Sequence, residues 1–411
     1  MIRRIQVLNY RCLRFVDLAL DRFHVLVGPG SSGKSTLFDA VAFLGDLVRE
    51  GPGRAVRLRT PDFRDLVWQR HPAGGKIGFE LAVELDVPED LRGQLPRDKR
   101  FRLFRYQVAI RGGPGGAVVA SERGLLMPRE EPVDCEQRTL FPDPPCPPET
   151  ILVGSRPGTK SVLSKSEKGT DSYYVETDQG EKKGWVTTIT LGADRSTLAN
   201  LPAGQQYPVA AWVRDLLSTG IRQFCLDGPT LRRPCRARPG TICLAPDGGN
   251  LPLVVDSLRA RHREHFNTWL EQARAAVSDL QDIRVGRLGE DRSPYLVLDY
   301  ASGLSAPSWT TSDGVLRLLA LTLLAHLPDN RDIHLIESPE NGIDEAGLEL
   351  IRHSVSAVSQ GQILLASRSP ALRAGLPPAA VLHFERDPGG ATDIVRGDQH
   401  PRRGSGGLRG G

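Results

Sequence analysis

The chain has 411 residues, which is enough for two domains or lobes that each bury a core. Its composition, 39% hydrophobic and 25% charged, is that of a soluble globular protein. No apolar run approaches the ~20 residues of a membrane-spanning helix, which argues against a membrane-spanning protein. The net charge of +4, from 53 basic and 49 acidic residues, is too small to indicate nucleic-acid binding by itself.

Cysteine usage and the start of the chain predict a reducing, cytoplasmic setting. The six cysteines form no CxxC pair, and the opening segment MIRRIQVLNY lacks the apolar core of a signal peptide. The cysteines are Cys12, Cys135, Cys146, Cys225, Cys235 and Cys243.

The first 50 residues combine two periodicities. Residues 2–28 alternate apolar and polar side chains in three short bursts and end in a glycine turn, which predicts strands. Residues 34–50 then switch to helical spacing, which predicts a helix with one apolar face on a sheet. That face consists of Leu37, Val41, Leu44 and Val48.

Between this strand and helix lies VLVGPGSSGKST, residues 25–36, which fits the phosphate-binding pattern GxxxxGK[ST]. Glycines let such a loop curl until backbone N–H groups point at phosphate oxygens, and the helix start adds a favourable dipole. We expect Lys34 to bridge the β- and γ-phosphates and the Ser35 hydroxyl to bind Mg²⁺. ATP is favoured over GTP because the chain has no NKxD motif. The predicted phosphate-binding residues are Gly28, Pro29, Gly30, Ser31, Ser32, Gly33, Lys34, Ser35 and Thr36.

Residues 76–192 are typical of a β-rich elaboration of the first lobe. Strand-like segments alternate with Gly/Pro-rich turns, and residues 142–150, PDPPCPPET, form a clear break. Two basic stretches, 165–168 and 180–184, lie among turn-forming residues, so solvated hairpin tips are favoured over a DNA-contacting ridge.

Beyond the β-rich part the pattern becomes helical, with one long stripe from Leu258 through His262 to Val277. His262 and His265 are spaced to share a metal, but a structural zinc is disfavoured because no carboxylate or cysteine cluster completes the site. Helix and strand patterns then alternate over residues 312–367, which predicts a parallel sheet covered by helices. The Gly/Arg-rich tail, residues 398–411, is expected to be disordered.

Four segments in this order resemble the ABC-type ATPase heads of the RecF, SMC and OLD group, and more closely the small stand-alone ATPases of prokaryotes in that group. The likeness covers about residues 1–385. The segments are NYRCLRFVDLAL…HVLVGPGSSGKSTLFDAVAFL, TTSDGVLRLLALTLLA, HLIESPENGID and ILLASRSPAL.

The resemblance implies an α/β P-loop NTPase fold, a bilobal head with a mainly parallel core sheet, a β-rich first lobe and a helical second lobe. We expect lobe I over residues 1–200 and lobe II over 201–385. Residues 386–411 would be a terminal strand remnant and the tail.

Ser312, Asp313 and Gly314 open a predicted helix and match the signature motif of such heads. The resemblance implies that two heads pair so that each helix start caps the γ-phosphate bound by the other, which makes ATP-dependent homodimers or higher oligomers. The Ser312 hydroxyl can donate, and Gly314 leaves its N–H accessible. Asp313 as a simple helix cap is the alternative. Arg11 matches a basic residue near the phosphates in relatives, although a surface arginine fits equally.

The segment around residue 337 departs from the pattern of relatives, which have two acids followed by Pro and Glu. Glu337 occupies the Mg²⁺-binding position, whereas Ser338 stands where relatives have the general base. A hydroxyl does not accept a proton near neutral pH. Glu340 could replace the base only if the chain turns sharply there. Arg368 stands where relatives have a histidine at the γ-phosphate, and arginine cannot shuttle a proton.

Two further departures follow, because Asp344 replaces a histidine and Glu345 a proline of relatives. An intact binding loop beside altered catalytic positions indicates a head that holds ATP and hydrolyses it slowly.

The resemblance implies an ATP-gated scaffold or regulator of a partner effector, such as a nuclease or toxin in anti-phage defence. The alternative is a RecF-like DNA-metabolism ATPase, which would have a basic strip, bind nucleic acid with a steep salt dependence and show DNA-stimulated hydrolysis. A P-loop kinase acting on a small molecule would need an acceptor pocket and lid arginines instead.

Overall fold

The computed structural model describes residues 1–70, 77–96, 101–128, 147–166, 170–177, 186–236, 243–328, 330–358 and 360–399. The basic stretch at 180–184 and the tail beyond residue 399 lie outside these residues. By compactness the chain divides into two units. Unit 1 contains residues 1–21, 28–221 and those from 382 onward, and unit 2 contains residues 22–27 and 222–381. The predicted lobes, 1–200 and 201–385, stay a prediction, since compactness does not measure independent folding.

Unit 1 is built on an eight-stranded antiparallel sheet in the order β2-β1-β4-β5-β6-β7-β8-β9. Burial alternates along the edge strand β2, whereas β4 and β5 in the middle of the sheet are buried at consecutive residues. In β1, Ile5 pairs with Leu18 on one side and Val83 on the other. The strands are β1 Ile2–Tyr10, β2 Leu13–Ala19, β4 Gly78–Asp86, β5 Phe101–Gly113, β6 Gly116–Pro128, β7 Lys160–Lys165, β8 Thr170–Tyr174 and β9 Val186–Thr190.

The helices of unit 1 begin with the one predicted after the glycine loop. All four residues of its predicted apolar stripe are buried. Its Gly45 lies against α4, where an added Cβ would come within 2.5 Å of the Leu217 carbonyl oxygen. The helices are α1 Lys34–Glu50, α2 Pro52–Arg57, α3 Glu89–Arg92 and α4 Pro208–Thr219. Unit 1 also contains the antiparallel hairpin of β16 (Val381–Arg386, whose first residue belongs to unit 2) and β17 (Thr392–Arg396).

Unit 2 contains the parallel strands that the sequence predicts. β3 (Phe23–Val27) pairs with β15 (Gln362–Ser367), which pairs with β14 (Ile333–Glu337), and β10 (Ile221–Phe224) follows β14 at the edge. The helices are α5 Gly228–Arg232, α6 Leu251–Arg261, α7 Arg263–Ala276, α8 Asp313–Leu323, α9 Glu345–Ser356 and α10 Pro370–Arg373. None of the helices in the described ranges is long and apolar enough to cross a bilayer.

The helical part of unit 2 differs from expectation in two places. The stripe from Leu258 to Val277 is two helices, because His262 has φ −134° and ψ 60° and ends α6. A three-stranded antiparallel sheet, absent from the prediction, follows it as β11 (Leu280–Leu288), β12 (Ser293–Tyr300) and β13 (Ser305–Pro307). The ring of His265 bonds to the His326 carbonyl oxygen at 2.8 Å, and no cluster of three metal-binding side chains occurs within the described ranges.

Glu176 takes the place of an N-cap for α4. Its carboxylate accepts hydrogen bonds from the backbone N–H groups of Val209 (2.6 Å) and Ala210 (2.8 Å), since Tyr207 provides no side-chain cap. Burial nevertheless raises the pKa of Glu176 to about 7, against the lowering effect of these bonds and of Lys160. Its ionisation therefore opposes folding.

The raised pKa of Glu176 predicts a stability that falls as pH increases. Between its unfolded value and about 7 the folded state binds the extra proton, so the contribution is complete below the unfolded pKa and is lost as pH rises through about 7. A shift of this size corresponds to roughly 3–4 kcal/mol. Thermal unfolding midpoints from about pH 5 to 8 should fall more steeply for the wild type than for Glu176→Gln. Glu50→Gln, an exposed acid of the same unit, is the control, and equal slopes for all three proteins would contradict the assignment.

Candidate functional site

The glycine loop, residues 28–33, runs from the end of β3 to the start of α1. Gly33 has φ 106°, a conformation that side-chain-bearing residues rarely adopt, and Ser31 has φ 62°. A Cβ at Gly33 would lie 2.3 Å from Thr392 Oγ1, and one at Gly28 would lie 2.3 Å from the Phe384 carbonyl oxygen. The backbone of the loop therefore packs directly on the β16–β17 hairpin of unit 1.

The start of α1 is suited to an anion. Its N-cap is Gly33, which has no side chain to accept from the first N–H groups, and no acidic residue lies in the first turn. The first helical hydrogen bond is from Leu37 N–H to the Gly33 carbonyl oxygen. A 17-residue helix that begins this way presents its positive end to the loop.

Lys34 lies folded into the glycine loop and is only 9% exposed. Its Nζ donates to the carbonyl oxygens of Gly28 and Pro29, both at 2.8 Å, and to Ser32 Oγ at 3.3 Å. These contacts hold the ammonium group at the glycine loop, where a phosphate would meet a positive charge. The loop, the helix start and this lysine together fit a triphosphate.

Two residues that the sequence analysis missed hold the loop from outside. Arg386 Nε donates to the Ser31 carbonyl oxygen at 2.7 Å, and Thr392 Oγ1 donates to the Ser32 carbonyl oxygen at 3.0 Å. Both belong to the segment around residue 386 that the sequence suggested only as a strand remnant. No local pattern signals this role, because the contacts span about 360 residues along the chain.

Arg11 lies in the turn between β1 and β2, with φ 49°. Its Nη1 is 3.1 Å from Asp39 Oδ2 on α1, and the same carboxylate accepts from Tyr10 Oη at 2.7 Å and from Arg59 Nε at 2.6 Å. Burial, and then the charge of Asp39, raise the pKa of Tyr10 well above its usual value, so its hydroxyl stays a donor. Arg11 is therefore anchored to α1 by an ion pair.

In unit 2, the carboxyl ends of three parallel strands lie at one edge. Glu337 at the end of β14 is in register with Ala366, and Ser367 at the end of β15 is in register with Val27 at the end of β3. Gln223 Nε2 donates to Glu337 Oε1 at 2.7 Å. Gln223 was missed by the sequence analysis, since one glutamine at the end of a short strand carries no recognisable signal.

The chain turns sharply after Glu337. Glu340 would need such a turn in order to replace the missing base at Ser338. Ser338 has φ 46°, and its N–H donates to the Ala366 carbonyl oxygen at 2.9 Å. Glu340 accepts from Ser367 Oγ at 2.8 Å and from the Arg368 N–H at 2.9 Å. Both of its carboxylate oxygens are thus held at the end of β15. The Arg368 residue is exposed.

Ser312, Asp313 and Gly314 open α8 as predicted, and the N-cap is Ser312 rather than Asp313. Ser312 is exposed, and its Oγ accepts from the Val315 N–H at 3.3 Å, which leaves the hydroxyl proton free to donate elsewhere. Asp313 lies in the first turn and forms an ion pair with Arg232, with Nε and Oδ1 2.8 Å apart. The alternative of an Asp313 cap is wrong.

Gly314 is buried where α8 meets the turn after β14. A Cβ added there would lie 1.9 Å from the Gly342 carbonyl oxygen. Arg317, one turn along α8, donates from Nη1 to the Asn341 carbonyl oxygen at 2.8 Å and from Nη2 to the Leu226 carbonyl oxygen at 3.2 Å. The start of α8 and the turn that carries Glu340 therefore pack as one piece.

The contact at Gly314 predicts that Gly314→Ala is destabilising. The backbone of Gly342 cannot move aside as a flexible side chain could, so we expect a loss of about 1–3 kcal/mol in the free energy of unfolding. Gly115→Ala is the control, because no atom lies within 4 Å of a Cβ there. Chemical denaturation of both variants measures the difference, and equal stability would show that the turn relaxes freely.

Sequence comparisons with known proteins match only a short part of the chain. No family model matches the chain. A curated OLD nuclease of Thermus scotoductus (strain ATCC 700910 / SA-01) is 44% identical over 48 residues, which is 11% of this chain and 9% of that nuclease. The chain thus matches about a tenth of the length of this relative.

Solved structures match over nearly the whole chain. A crystal structure of the SmcHead bound to the C-winged helix domain of ScpA has a TM-score of 0.52 at 12% identity and covers 96% of both chains. An Smc head domain with an extended coiled coil, bound to the C-terminal domain of ScpA and derived from Pyrococcus furiosus, has a TM-score of 0.50 at 13% identity and covers 96% of this chain and 95% of that one. The chain has the fold of an SMC head domain, so the predicted fold class and resemblance are confirmed at the level of the fold.

Proposed function

We propose that the chain is an ATP-binding head in which a triphosphate lies in the glycine loop. The observation that carries this proposal is the start of α1, where an uncapped 17-residue helix, a loop with no room for a Cβ at Gly28 or Gly33 and a buried lysine converge. Backbone N–H groups of residues 30–36 would contact the phosphate oxygens, and Lys34 would exchange its carbonyl partners for them.

Mg²⁺ is the metal that this proposal requires, and it would neutralise charge on the phosphates when bound. Ser35 would supply a hydroxyl ligand and Glu337 a carboxylate. Gln223, which donates to Glu337, would fix the orientation of that carboxylate.

We further propose that ATP joins two copies of the chain. Ser312 is exposed, and its hydroxyl proton is free at the start of a helix whose dipole favours an anion. A phosphate bound in the glycine loop of a second copy would accept a hydrogen bond from the Ser312 hydroxyl at this helix start. Arg11, anchored by Asp39, would contribute positive charge beside the phosphates on its own copy.

Hydrolysis is proposed to be slow. Ser338 offers no base, and Arg368 offers a permanent cation in place of a proton carrier. Glu340 is the carboxylate that follows Ser338 most closely in the chain, but both of its oxygens already accept hydrogen bonds at the end of β15. To act as a base it would have to leave one of these donors.

The proposed slow turnover predicts steady-state phosphate release well below about 1 s⁻¹ for the wild type. Ser338→Glu should raise the rate by about 10²–10⁴-fold, because a general base contributes that much, and Lys34→Ala should abolish it. Wild-type turnover at or above about 1 s⁻¹ would refute slow hydrolysis. If Glu340→Gln then removed that activity, Glu340 would be the base.

The proposed pairing predicts that Ser312→Asp remains a monomer with ATP and Mg²⁺. Aspartate caps a helix as well as serine does, so α8 should stay intact while the carboxylate repels the phosphate of the second copy. Ser312→Asn is the matched control, since it keeps the cap without adding charge. Light scattering with and without ATP measures the mass, and a wild type that stays monomeric would contradict the proposal.

The biological role is proposed to be an ATP-gated scaffold or regulator of a partner effector, a nuclease or toxin in anti-phage defence. Support comes from the SMC-head fold, whose solved examples hold a partner protein, ScpA, and from the short match to an OLD nuclease. Phosphate release that rises with added DNA would favour the DNA-metabolism alternative instead.

A further inference from the structure

A concave pocket of about 460 Å³ opens on unit 2 beside the start of α8. A volume of this size accommodates a few side chains of a bound molecule. Its walls come from α5 and the residues after it, from the β11–β12 hairpin and from the turn before α8. The lining residues are Pro229, Arg232, Arg233, Pro234, Leu288 and Trp309.

Two large apolar side chains of the pocket are open to solvent. Trp309 is 43% exposed and Leu288 is 48% exposed. Apolar groups exposed together at a concave surface mark a binding surface more often than single exposed residues do. Tryptophan is also the side chain that most often anchors a protein interface, together with tyrosine and arginine.

Hydrogen bonds and a ring contact connect the segments that form the walls of the pocket. Ser308 Oγ donates to the Arg232 carbonyl oxygen at 2.9 Å, and the Cys235 N–H donates to the Pro294 carbonyl oxygen at 2.9 Å. The ring centroids of Tyr295 and Trp309 are 4.7 Å apart. Binding would therefore require little ordering of the pocket itself.

The charge of the pocket is positive. No acidic residue is among its described lining residues. Arg232 is paired with Asp313, whereas the exposed Arg233 makes no side-chain hydrogen bond or ion pair within the described part of the chain. An arginine fork beside a tryptophan and two prolines complements a carboxylate that follows an apolar side chain.

We propose that this pocket docks a linear segment of a partner protein in which an aromatic or aliphatic side chain lies next to an acidic residue. The apolar side chain enters between the prolines and Trp309, and its acidic neighbour binds Arg233. A nucleic acid fits less well, because four of the six lining residues are apolar and phosphate binding depends on many cations. The inference rests on the proposed function, in which such a partner is the effector.

The position of the pocket connects the partner to the signature helix. Arg232 pairs with Asp313, the residue after Ser312, and a Cβ at Gly228 would lie only 2.2 Å from Asp313 Oδ2. A carboxylate bound to Arg233 lies beside Arg232, and Arg232 contacts the first turn of α8 through its ion pair with Asp313. Occupancy of the pocket and ATP-dependent pairing therefore bias each other.

The test is a selection from a displayed library of short random peptides against the full-length chain without nucleotide, with counter-selection against Trp309→Ser. Enriched peptides should place an acid beside an aromatic or aliphatic residue. Calorimetric titration of a synthetic peptide should show affinity weakened by about tenfold or more in Trp309→Ser and Arg233→Glu. Leu304→Ser and Arg156→Glu are matched controls, exposed residues outside the pocket that should leave affinity unchanged.

Three outcomes would overturn the inference. They are selected peptides without acids, affinities equal in pocket and control variants, and an oligothymidylate that binds the pocket in place of the peptide. Because the selection contains no nucleotide, its result is independent of ATP-dependent pairing. If the chain selects acidic peptides but never dimerises with ATP, the docking site stands and the proposed function is refuted. If the chain dimerises with ATP but selects no acidic peptides, the docking site is refuted and the proposed pairing stands.

Discussion

The close packing of the glycine loop against the β16–β17 hairpin is the constraint on which the rest of unit 1 depends. Gly28 and Gly33 meet backbone and side-chain atoms at distances that no Cβ could tolerate. The loop is therefore fixed by its surroundings as well as by its own sequence. Because α1 continues directly from Gly33, the same contacts fix where the positive end of this helix points and where Lys34 and Ser35 lie.

In unit 2, a glycine again allows two backbone segments to pack closely. Gly314 lets the start of α8 rest on the backbone of Gly342, and Arg317 adds hydrogen bonds to the same turn. A rigid contact of this kind transmits displacement, since close-packed interiors respond by moving together rather than by compressing. A force on Ser312 would therefore reach the turn that carries Glu340, and the ion pair of Asp313 extends this connection to the docking pocket.

Binding and cleavage make different demands on a nucleotide site, and this chain meets them unequally. Binding needs backbone donors and fixed positive charge, which the start of α1 at Gly33, Lys34 and Arg11 would supply in the proposed site. Cleavage needs a base with freedom to take a proton, and Ser338 cannot provide one. Under the proposed function, a head that retains its ligand would suit ATP-dependent pairing of two copies, because slow hydrolysis of ATP would keep the pair together.

The sequence by itself determined whatever depends on neighbouring residues. The glycine loop, the stripe of α1, the parallel strands around Glu337 and the start of α8 at Ser312 were all readable, because turn chemistry, periodicity and capping act within a few positions. The same local reasoning joined α6 to α7 across His262 and missed the sheet that follows. Side-chain spacing alone does not reveal a backbone break.

Only the tertiary structure decided which distant residues meet. Thr392 donates a hydrogen bond to the loop at Ser32, and Asp39 forms an ion pair with Arg11. Gln223 donates to Glu337, and Glu340 accepts a hydrogen bond at the end of β15. Each of these contacts depends on strand order and on packing between elements far apart in the chain. No short pattern encodes them, since their partners come together only when the whole unit folds.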